Sequence, residues 1–374
     1  MKPKNPFVLL GYEGPEYFCD REKETEWLKD QWQNNRNVVV HSWRRMGKTA
    51  LIKHFFHLAE KEHKAEHLYV DLLGTAGKQE AIERIGRAVL DRYGSVKKGI
   101  SGALQKLLGH IGASISFDPH SGNPKITFDL VTPPDPELSL HAIGEFLSNR
   151  KRPVLIALDE FQKVVKYEDS TAEALFRSWA QEFPDLWLIF SGSHRNMMVS
   201  MFNESKRPFY RSAQMMALDP IPKEKYKSFI RKKFEKGGSE IPDNVIERIF
   251  SWSRKQTYYI QLLCNKLYAT GGKPSINKVD TICNELLDQD AHVFANYRNL
   301  LTEKQWEILT AIAIDDPVKG PYSEGFRRKH NLGAASTVET ALKTLIEKEL
   351  IIRQNNQYMI HDTMLCRWLQ KWFG

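Results

Sequence analysis

The residues of this chain whose types and spacing point most directly to chemistry occupy positions 42–49, Ser-Trp-Arg-Arg-Met-Gly-Lys-Thr. The segment follows the apolar run 38–40 by one residue and precedes a helical pattern, so it predicts a phosphate-binding loop between a buried strand and a helix. Lys48 is expected to reach the β- and γ-phosphates of a nucleotide, and the Thr49 hydroxyl to ligate Mg²⁺. Successive loop amides and the positive end of the following helix would face the same anion. The predicted binding residues are Ser42, Arg44, Arg45, Met46, Gly47, Lys48, Thr49 and Ala50.

Ser42 departs from the usual form of this motif, because it stands where the first glycine is expected. Gly47 supplies the backbone freedom for the bend around a phosphate. An ordinary strand-to-helix turn would explain the Gly-Lys-Thr triplet equally well, so the phosphate loop needs independent support. Arg44 and Arg45 are expected to face phosphate or a neighbouring subunit rather than to take part in catalysis.

Two carboxylates, Asp159 and Glu160, supply that support. They directly follow the continuous apolar run 153–158, which predicts a central parallel strand. Phosphoryl transfer needs one carboxylate near Mg²⁺ and a second group that orients the attacking water. We assign Asp159 to the metal and Glu160 to the water. The loop and the carboxylates require the same parallel sheet, so together they predict nucleotide binding and hydrolysis.

Further candidates follow the next strand pattern and a later loop. Ser191 and Ser193 flank Gly192 at the end of the run 186–190, and either hydroxyl could sense the γ-phosphate. The sequence does not distinguish the two serines, and Gly192 also fits a plain turn. Arg211 could neutralise γ-phosphate charge in its own subunit or in a neighbour's, or it could pair with a nearby acid. The predicted catalytic set is Lys48, Glu160, Arg211 and Ser193, and the predicted metal ligands are Thr49 and Asp159.

The elements that must position these residues fall into three predicted domains. Residues 1–219 alternate strand and helix patterns, which is typical of a parallel sheet with helices on both faces. Within them, residues 94–137 predict an inserted β-hairpin that serves either as a contact element or as a cover for the sheet edge. Residues 220–297 carry amphipathic helical patterns and predict an all-α domain.

Residues 298–374 predict a winged helix-turn-helix. Capping-box patterns beginning at Thr302 and Ser336 mark the starts of two helices, and Ser323 marks a short helix between them. Two short strands then pair around the dipeptide at 355–356, which completes the order of three helices and a ribbon.

Composition and charge exclude several classes of protein. No apolar run approaches the roughly 18 residues of a membrane span, and the N-terminus lacks the apolar core of a signal peptide. The four cysteines lack metal-like spacing and indicate buried thiols in a reducing cytosol. Residues 221–300 hold 14 Lys and Arg against 9 Asp and Glu, which is most of the net charge of +8. Such a basic helical stretch is more often a solvated face than a nucleic-acid site. Because the sequence shows no membrane span, no signal peptide and only scattered cysteines, we expect a cytoplasmic protein with no membrane partner.

Taken in order along the chain, these motifs resemble the archaeal-type ATPase family within the AAA+/STAND division of P-loop ATPases. The likeness runs from about residue 17 to residue 372. It is carried by Phe18-Cys19-Asp20-Arg21-Glu22, Arg44-Arg45-Met46-Gly47-Lys48-Thr49, Leu158-Asp159-Glu160-Phe161-Gln162, Ser191-Gly192-Ser193, Phe209-Tyr210-Arg211 and His361-Asp362.

The resemblance implies an ATP and Mg²⁺ site between an α/β domain and a helical lid, followed by a winged helix. It places Phe18 and Arg21 at the adenine end of the nucleotide and Arg211 at the candidate arginine finger. Thr257 departs from the family pattern, since it stands where such proteins usually have a proline. A fused nuclease-like domain, present in some relatives, is not expected after the winged helix.

The predicted function is therefore binding and hydrolysis of Mg-ATP, with the nucleotide state coupled to movement of the lid and the winged helix. The alternative is a winged-helix DNA-binding regulator in which ATP is a structural or switching ligand. Exposed lysines of the third winged helix are offset by Glu339 and Glu347, whereas the cations at 327–330 are better placed for duplex DNA. A protein partner of the winged helix is the competing expectation. A homo-oligomer is expected if Arg211 acts across subunits.

Overall fold

The structure is a computed structural model that describes residues 4–94, 102–117, 124–128 and 135–374. Its contacts separate the chain into two compact units. One consists mainly of Val8–Tyr226, and the other of Lys227–Gly374 together with Asn5–Phe7. The finer division at residues 219 and 297 remains a prediction.

The first unit is built on a parallel five-stranded sheet. Its strands lie in the order β2-β5-β6-β1-β7, and each pairs in parallel with its neighbours. Two further strands, β3 and β4, form a separate antiparallel pair. The strands are β1 (Val38–His41), β2 (Glu66–Asp71), β3 (Ala113–Phe117), β4 (Pro124–Phe128), β5 (Val154–Asp159), β6 (Leu186–Gly192) and β7 (Gln214–Ala217).

Helices cover both faces of this sheet. The helices of this unit are α1 (Glu22–Gln33), α2 (Lys48–His63), α3 (Lys78–Tyr93), α4 (Gly102–His110), α5 (Pro136–Ser148), α6 (Ala172–Glu182) and α7 (Arg195–Asn203). Alternate residues of one strand enter two different cores: Ile156 joins the core that contains α3 and α5 residues, whereas Leu155 joins the core that contains α2 residues. The three inner strands β1, β5 and β6 are mostly apolar because both of their faces are buried. The predicted α/β fold class is confirmed.

The predicted hairpin insertion is represented by β3 and β4. These strands pair in antiparallel register from Ala113 opposite Phe128 to Phe117 opposite Pro124. The expected turn between them, residues 118–123, lies outside the described residues. Leu104 and Leu107 of α4 belong to the core on the α3 side of the sheet, so the helix that precedes the hairpin is part of the domain core.

The second unit is helical and ends in a winged helix. Helix α8 (Lys223–Lys236) leads into it. The elements that follow are α9 (Asp243–Ser253), α10 (Thr257–Ala269), α11 (Ile276–Gln289), α12 (Ala291–Leu300), α13 (Glu303–Ile314), α14 (Glu324–Lys329), α15 (Ala335–Glu347), β8 (Ile351–Gln354), β9 (Gln357–Ile360) and α16 (Thr363–Phe373). Asn355 and Asn356 both adopt positive φ between β8 and β9, which suits the tight turn of the wing.

Three helix starts were predicted in this unit: Ser323 is the N-cap of α14 as expected, and of the two predicted capping boxes one is absent. The capping box at Thr302 is present, with reciprocal hydrogen bonds between Thr302 and Gln305. The box predicted at Ser336 is not formed. Helix α15 begins at Ala335, and its N-cap is Ala334 without a side-chain cap. Val338 and Leu342 remain core positions whether the helix begins at Ala335 or two residues later. The apolar pattern therefore located the helix but not its first residue.

Arginines from the winged helix and the helical segment hold this second unit together. Arg367 of α16 donates to the carbonyls of Ser251 and Trp252 at the end of α9, at 2.6 and 3.0 Å. Arg254 donates to the Ile360 carbonyl at 2.7 Å and pairs with Asp316 at 3.2 Å. Carbonyls at the end of a helix lack partners within that helix, so Arg367 satisfies groups that would otherwise be unpaired.

All four cysteines are buried free thiols, as predicted. Within the ranges that the structure describes, no helix combines the length and the hydropathy that a bilayer crossing requires.

Candidate nucleotide site

The carboxyl ends of β1, β5 and β6 bring the predicted site residues to one edge of the sheet. The loop 42–47 follows β1 directly, and β5 ends at Asp159. In β6, Ser191 lies opposite Val40 of β1. Strands in parallel register end at the same edge, so the predicted loop, carboxylates and serines converge there.

The loop has the backbone shape that an anion site requires. Arg45 and Gly47 adopt left-handed φ values of 67° and 93°, and such turns direct successive amides to one side. Gly47 caps α2 without a side-chain hydrogen bond, so the first amides of that helix remain available to an anion.

Ser42 is accommodated in place of the usual first glycine. It is buried and lies outside the positive-φ positions of the chain, so no glycine is required there. Its hydroxyl donates to the Trp43 carbonyl at 2.9 Å, and its amide donates to the Gly192 carbonyl at 3.4 Å. The serine therefore ties the start of the loop to the neighbouring strand.

Lys48 is a buried cation at the start of α2, with 7% of its surface exposed. Burial lowers its pKa, while the carboxylates of Asp159 and Glu160 raise it and Arg44 lowers it again. Burying an ammonium group is costly unless an anion compensates it. A nucleotide phosphate at this position would supply that charge.

His41, the last residue of β1, does not add charge to the site. Burial lowers its pKa to about 4, and Arg195 and Lys48 contribute in the same direction while Asp219 opposes them. The imidazole is therefore neutral near pH 7.

Asp159 is the most heavily hydrogen-bonded group of the site. Its Oδ1 accepts from the Ser191 hydroxyl at 2.5 Å and from the Glu160 amide at 3.0 Å. Its Oδ2 accepts from the Thr49 hydroxyl at 3.3 Å and from the Tyr69 hydroxyl. The structure thus brings together Thr49 and Asp159, the two predicted metal ligands.

Glu160 is held separately, beside Asp159 but by other partners. Its backbone has a left-handed φ of 54°, an unfavourable conformation for a non-glycine residue that concentrates at functional sites. Its Oε2 accepts from the Ser193 hydroxyl at 2.8 Å and from the Gln162 side-chain amide at 2.5 Å. The two serines that the sequence left equivalent therefore differ: Ser191 binds Asp159, and Ser193 binds Glu160.

Tyr69 and Gln162 are site residues that sequence reasoning did not assign. Gln162 had a usable signal, because it lies two residues after Glu160 in the Asp-Glu-Phe-Gln run. Tyr69 had none, since its proximity to Asp159 depends on the pairing of β2 with β5.

Phe18 and Arg21, assigned by resemblance to the adenine end, occupy different surroundings. Phe18 stacks on His54 of α2, with ring centroids 4.1 Å apart. The buried guanidinium of Arg21 binds Glu24 at 2.5 Å and the Asp219 carbonyl at 2.7 Å. Phe18 thus lies against the helix that follows the loop, while Arg21 joins α1 to the segment after β7. The adenine assignment of both residues remains a prediction.

Arg211 is exposed and does not make the ion pair considered for it. Among the residues that the structure describes, it pairs with no carboxylate, and its guanidinium lies 5.2 Å from the centroid of the Tyr210 ring. The neighbouring Arg207 pairs instead with Glu173 at 2.8 Å.

The described residues contain no group of three or more His, Cys, Asp or Glu side chains arranged to hold a metal ion. Magnesium in nucleotide sites is held by one or two protein oxygens together with substrate phosphates. The Thr49 hydroxyl and the Asp159 carboxylate fit that mode of binding.

Family models match two parts of the chain. A family model described as an ATPase domain predominantly from Archaea matches residues 18–263, and one described as a probable winged helix domain matches residues 292–371. No curated protein matches the sequence.

Solved structures with a similar fold include archaeal proteins. A Walker-type ATPase of Pyrococcus abyssi is 18% identical, with a TM-score of 0.68 over 98% of this chain and 99% of that one. The ORC2 protein of Aeropyrum pernix, in ADPNP-ADP complexes, is 14% identical, with a TM-score of 0.58 over 94% and 92%. The ORC1 protein of the same organism, in complex with DNA, is 12% identical, with a TM-score of 0.52 over 98% and 96%. At these identities the likeness shows a shared fold.

The close packing around Gly192 predicts the effect of Gly192→Ala. A Cβ there would lie 2.2 Å from Gln162 Oε1 and 2.6 Å from Met198 Sδ, so both buried side chains would have to shift, and with Gln162 its hydrogen bond to Glu160 would be disturbed. We expect the variant to lose about 1–3 kcal/mol of unfolding free energy, as is usual for overpacking, measured by urea unfolding. Gly109→Ala in α4, where a Cβ meets no atom within 4 Å, is the control. Equal stability of the two variants would contradict this account of Gly192.

Proposed function

The chain belongs to the ATPase domain family found predominantly in Archaea, and from that premise we propose that it binds and hydrolyses Mg-ATP at the edge formed by β1, β5 and β6. The observation that carries the proposal is the convergence of Lys48, Thr49, Asp159 and Glu160. Thr49 binds Asp159 directly, and both carboxylates are close enough to Lys48 to raise its pKa. A plain strand-to-helix turn does not require a buried lysine facing two carboxylates.

In this proposal the loop and Lys48 bind the phosphates. The amides turned inward by Arg45 and Gly47 donate to phosphate oxygens, and Lys48 contacts the β- and γ-phosphates. Thr49 and Asp159 would hold Mg²⁺, which would neutralise developing charge on those oxygens when bound. Ser191 and the Glu160 amide hold Asp159 in place, so its orientation is set before nucleotide arrives.

Glu160 orients the attacking water and receives its proton. Ser193 and Gln162 both donate to Oε2, which leaves Oε1 for the water. Because its backbone is left-handed, the side chain of Glu160 leaves the chain in a different direction from that of a residue in a regular strand. Arg211, exposed and without a carboxylate partner among the described residues, is available to a γ-phosphate of its own or a neighbouring subunit.

The nucleotide state would then be coupled to movement of the lid and the winged helix, as in a molecular switch or a small motor. The internal hydrogen bonds of the second unit support its movement as one body, because Arg254 and Arg367 tie the lid helices to the winged helix.

A DNA-binding regulator is the second candidate, and one observation favours it: the ORC1 protein that shares this fold was solved in complex with DNA. The charge distribution supports it less. Arg328 pairs with Glu324 and Lys329 with Asp315, each at 2.6 Å, and Arg327 donates to the Tyr322 and Gly333 carbonyls. Cations with internal partners bring less counterion release to a phosphate backbone.

The basic stretch near α8 is likewise neutralised in part. Lys227 pairs with Glu247 at 2.6 Å, and Arg231 pairs with Asp243. The acidic partners of Lys227 and Arg231 both lie on α9, so part of the local surplus of positive charge is neutralised within the second unit. This supports the expectation that the helix is a solvated face.

Two variants separate binding from hydrolysis. Lys48→Ala should weaken ATP binding by at least tenfold, because it removes the cation that faces the phosphates. Glu160→Gln should keep ATP affinity within about threefold and lower turnover by about 100-fold, the range for loss of a general base. Binding is measured by calorimetric titration, turnover by phosphate release, and Lys61→Ala on the exposed side of α2 serves as control. Normal turnover in Lys48→Ala would refute the phosphate loop.

Duplex DNA distinguishes the two candidate functions. We expect ATP turnover to change by less than about twofold when random-sequence duplex DNA is added at 50 mM salt, since the winged-helix cations are largely paired internally. The same titration with Arg327→Ala and Arg328→Ala should give equal turnover. Stimulation of several fold, lost in these variants, would favour the DNA-binding regulator.

A further inference from the structure

Tyr69 lies at the centre of the predicted magnesium site, although its strand contributes none of the expected ligands. Its hydroxyl donates to Asp159 Oδ2 and lies 3.2 Å from Thr49 Oγ1. Thr49 Oγ1 itself lies 3.3 Å from Asp159 Oδ2. Three oxygens, two of them the predicted metal ligands, therefore form a closed triangle.

The hydrogen-bonding capacity of Asp159 is fully used. A carboxylate has about four lone-pair sites, and Asp159 accepts four hydrogen bonds, two at each oxygen. The Thr49 hydroxyl donates its proton to Asp159, and Tyr69, whose single proton goes to the same carboxylate oxygen, lies 3.2 Å from Thr49 Oγ1. A metal ion on Asp159 would need a lone pair that a protein donor now occupies.

Of the four donors to Asp159, Tyr69 is the one whose hydrogen bond is most easily broken. Ser191 is fully buried on the central strand β6, and the Glu160 amide belongs to the adjacent backbone. Thr49 is fixed in the first turn of α2. Tyr69 lies on β2, the edge strand of the sheet, and its side chain is only partly buried.

We propose that the Tyr69 hydroxyl competes with Mg²⁺ for Asp159, so that it occupies a lone pair of this ligand without nucleotide and sets the Mg²⁺ concentration at which nucleotide binds tightly. This inference rests on the proposed function of the same site. It gives Tyr69 a role opposite to that of Ser191: Ser191 positions Asp159 for the metal, whereas Tyr69 occupies a lone pair of Asp159 until the metal displaces it.

The test is ADP binding, measured calorimetrically across a range of Mg²⁺ concentrations and in EDTA, for wild type and Tyr69→Phe. Removal of the competing hydroxyl should lower the Mg²⁺ concentration needed for half-maximal affinity by about threefold to tenfold, the size expected for one hydrogen bond. Affinity in EDTA should stay unchanged. Tyr69→Leu, which also lacks the hydroxyl, should shift the midpoint in the same direction.

Tyr93→Phe is the matched control, because the Tyr93 hydroxyl donates to Glu66 at the opposite end of the same strand β2, at 2.8 Å. It should leave the Mg²⁺ midpoint unchanged. An unchanged Mg²⁺ requirement in Tyr69→Phe would overturn the competition, and a higher one would overturn it and indicate that the phenol positions Asp159. If wild-type protein binds no ADP with or without Mg²⁺, the proposed function itself fails.

Discussion

The buried carboxylate of Asp159, with a donor at each of its four lone-pair sites, is the constraint on which the rest of the site depends. An ionised carboxylate away from water is tolerated only when it is paired and hydrogen-bonded. Its donors come from four places: β2, the start of α2, the next residue of the backbone, and β6. Satisfying this one group therefore fixes the relative positions of three strands and the phosphate loop.

The neighbouring groups depend on that arrangement. Lys48 is buried within the field of Asp159 and Glu160, so a positive charge is held where a phosphate would bind. Glu160 follows Asp159 immediately but takes a left-handed backbone and different partners, Ser193 and Gln162. Two adjacent carboxylates thus acquire separate hydrogen-bond networks, which suits one for a metal and the other for a water.

Much of the fold and part of the site could be predicted from the sequence, for physical reasons. Continuous apolar runs such as 154–158 are required of strands buried on both faces, and the end of such a strand places Asp159 at the sheet edge. Ser191 and Ser193 could not be separated, because the strand pattern puts both near the same edge and only the packed structure shows which carboxylate each contacts. Tyr69 could not be found, since sequence does not reveal that β2 pairs with β5. The capping box predicted at Ser336 was wrong because a Ser and a Glu with capping-box spacing can also lie within the exposed first turn of a helix, as they do in α15.

The central claim is that Asp159 makes nucleotide binding depend on Mg²⁺, and substitution by its neutral isostere tests it most directly. ADP affinity of Asp159→Asn should be measured in excess Mg²⁺ and in EDTA, beside wild type, with thermal unfolding to confirm that the variant is folded. The account predicts that ADP affinity in EDTA is kept while the gain produced by Mg²⁺ is lost. A folded Asp159→Asn variant in which Mg²⁺ still strengthens ADP binding as much as in wild type would contradict it.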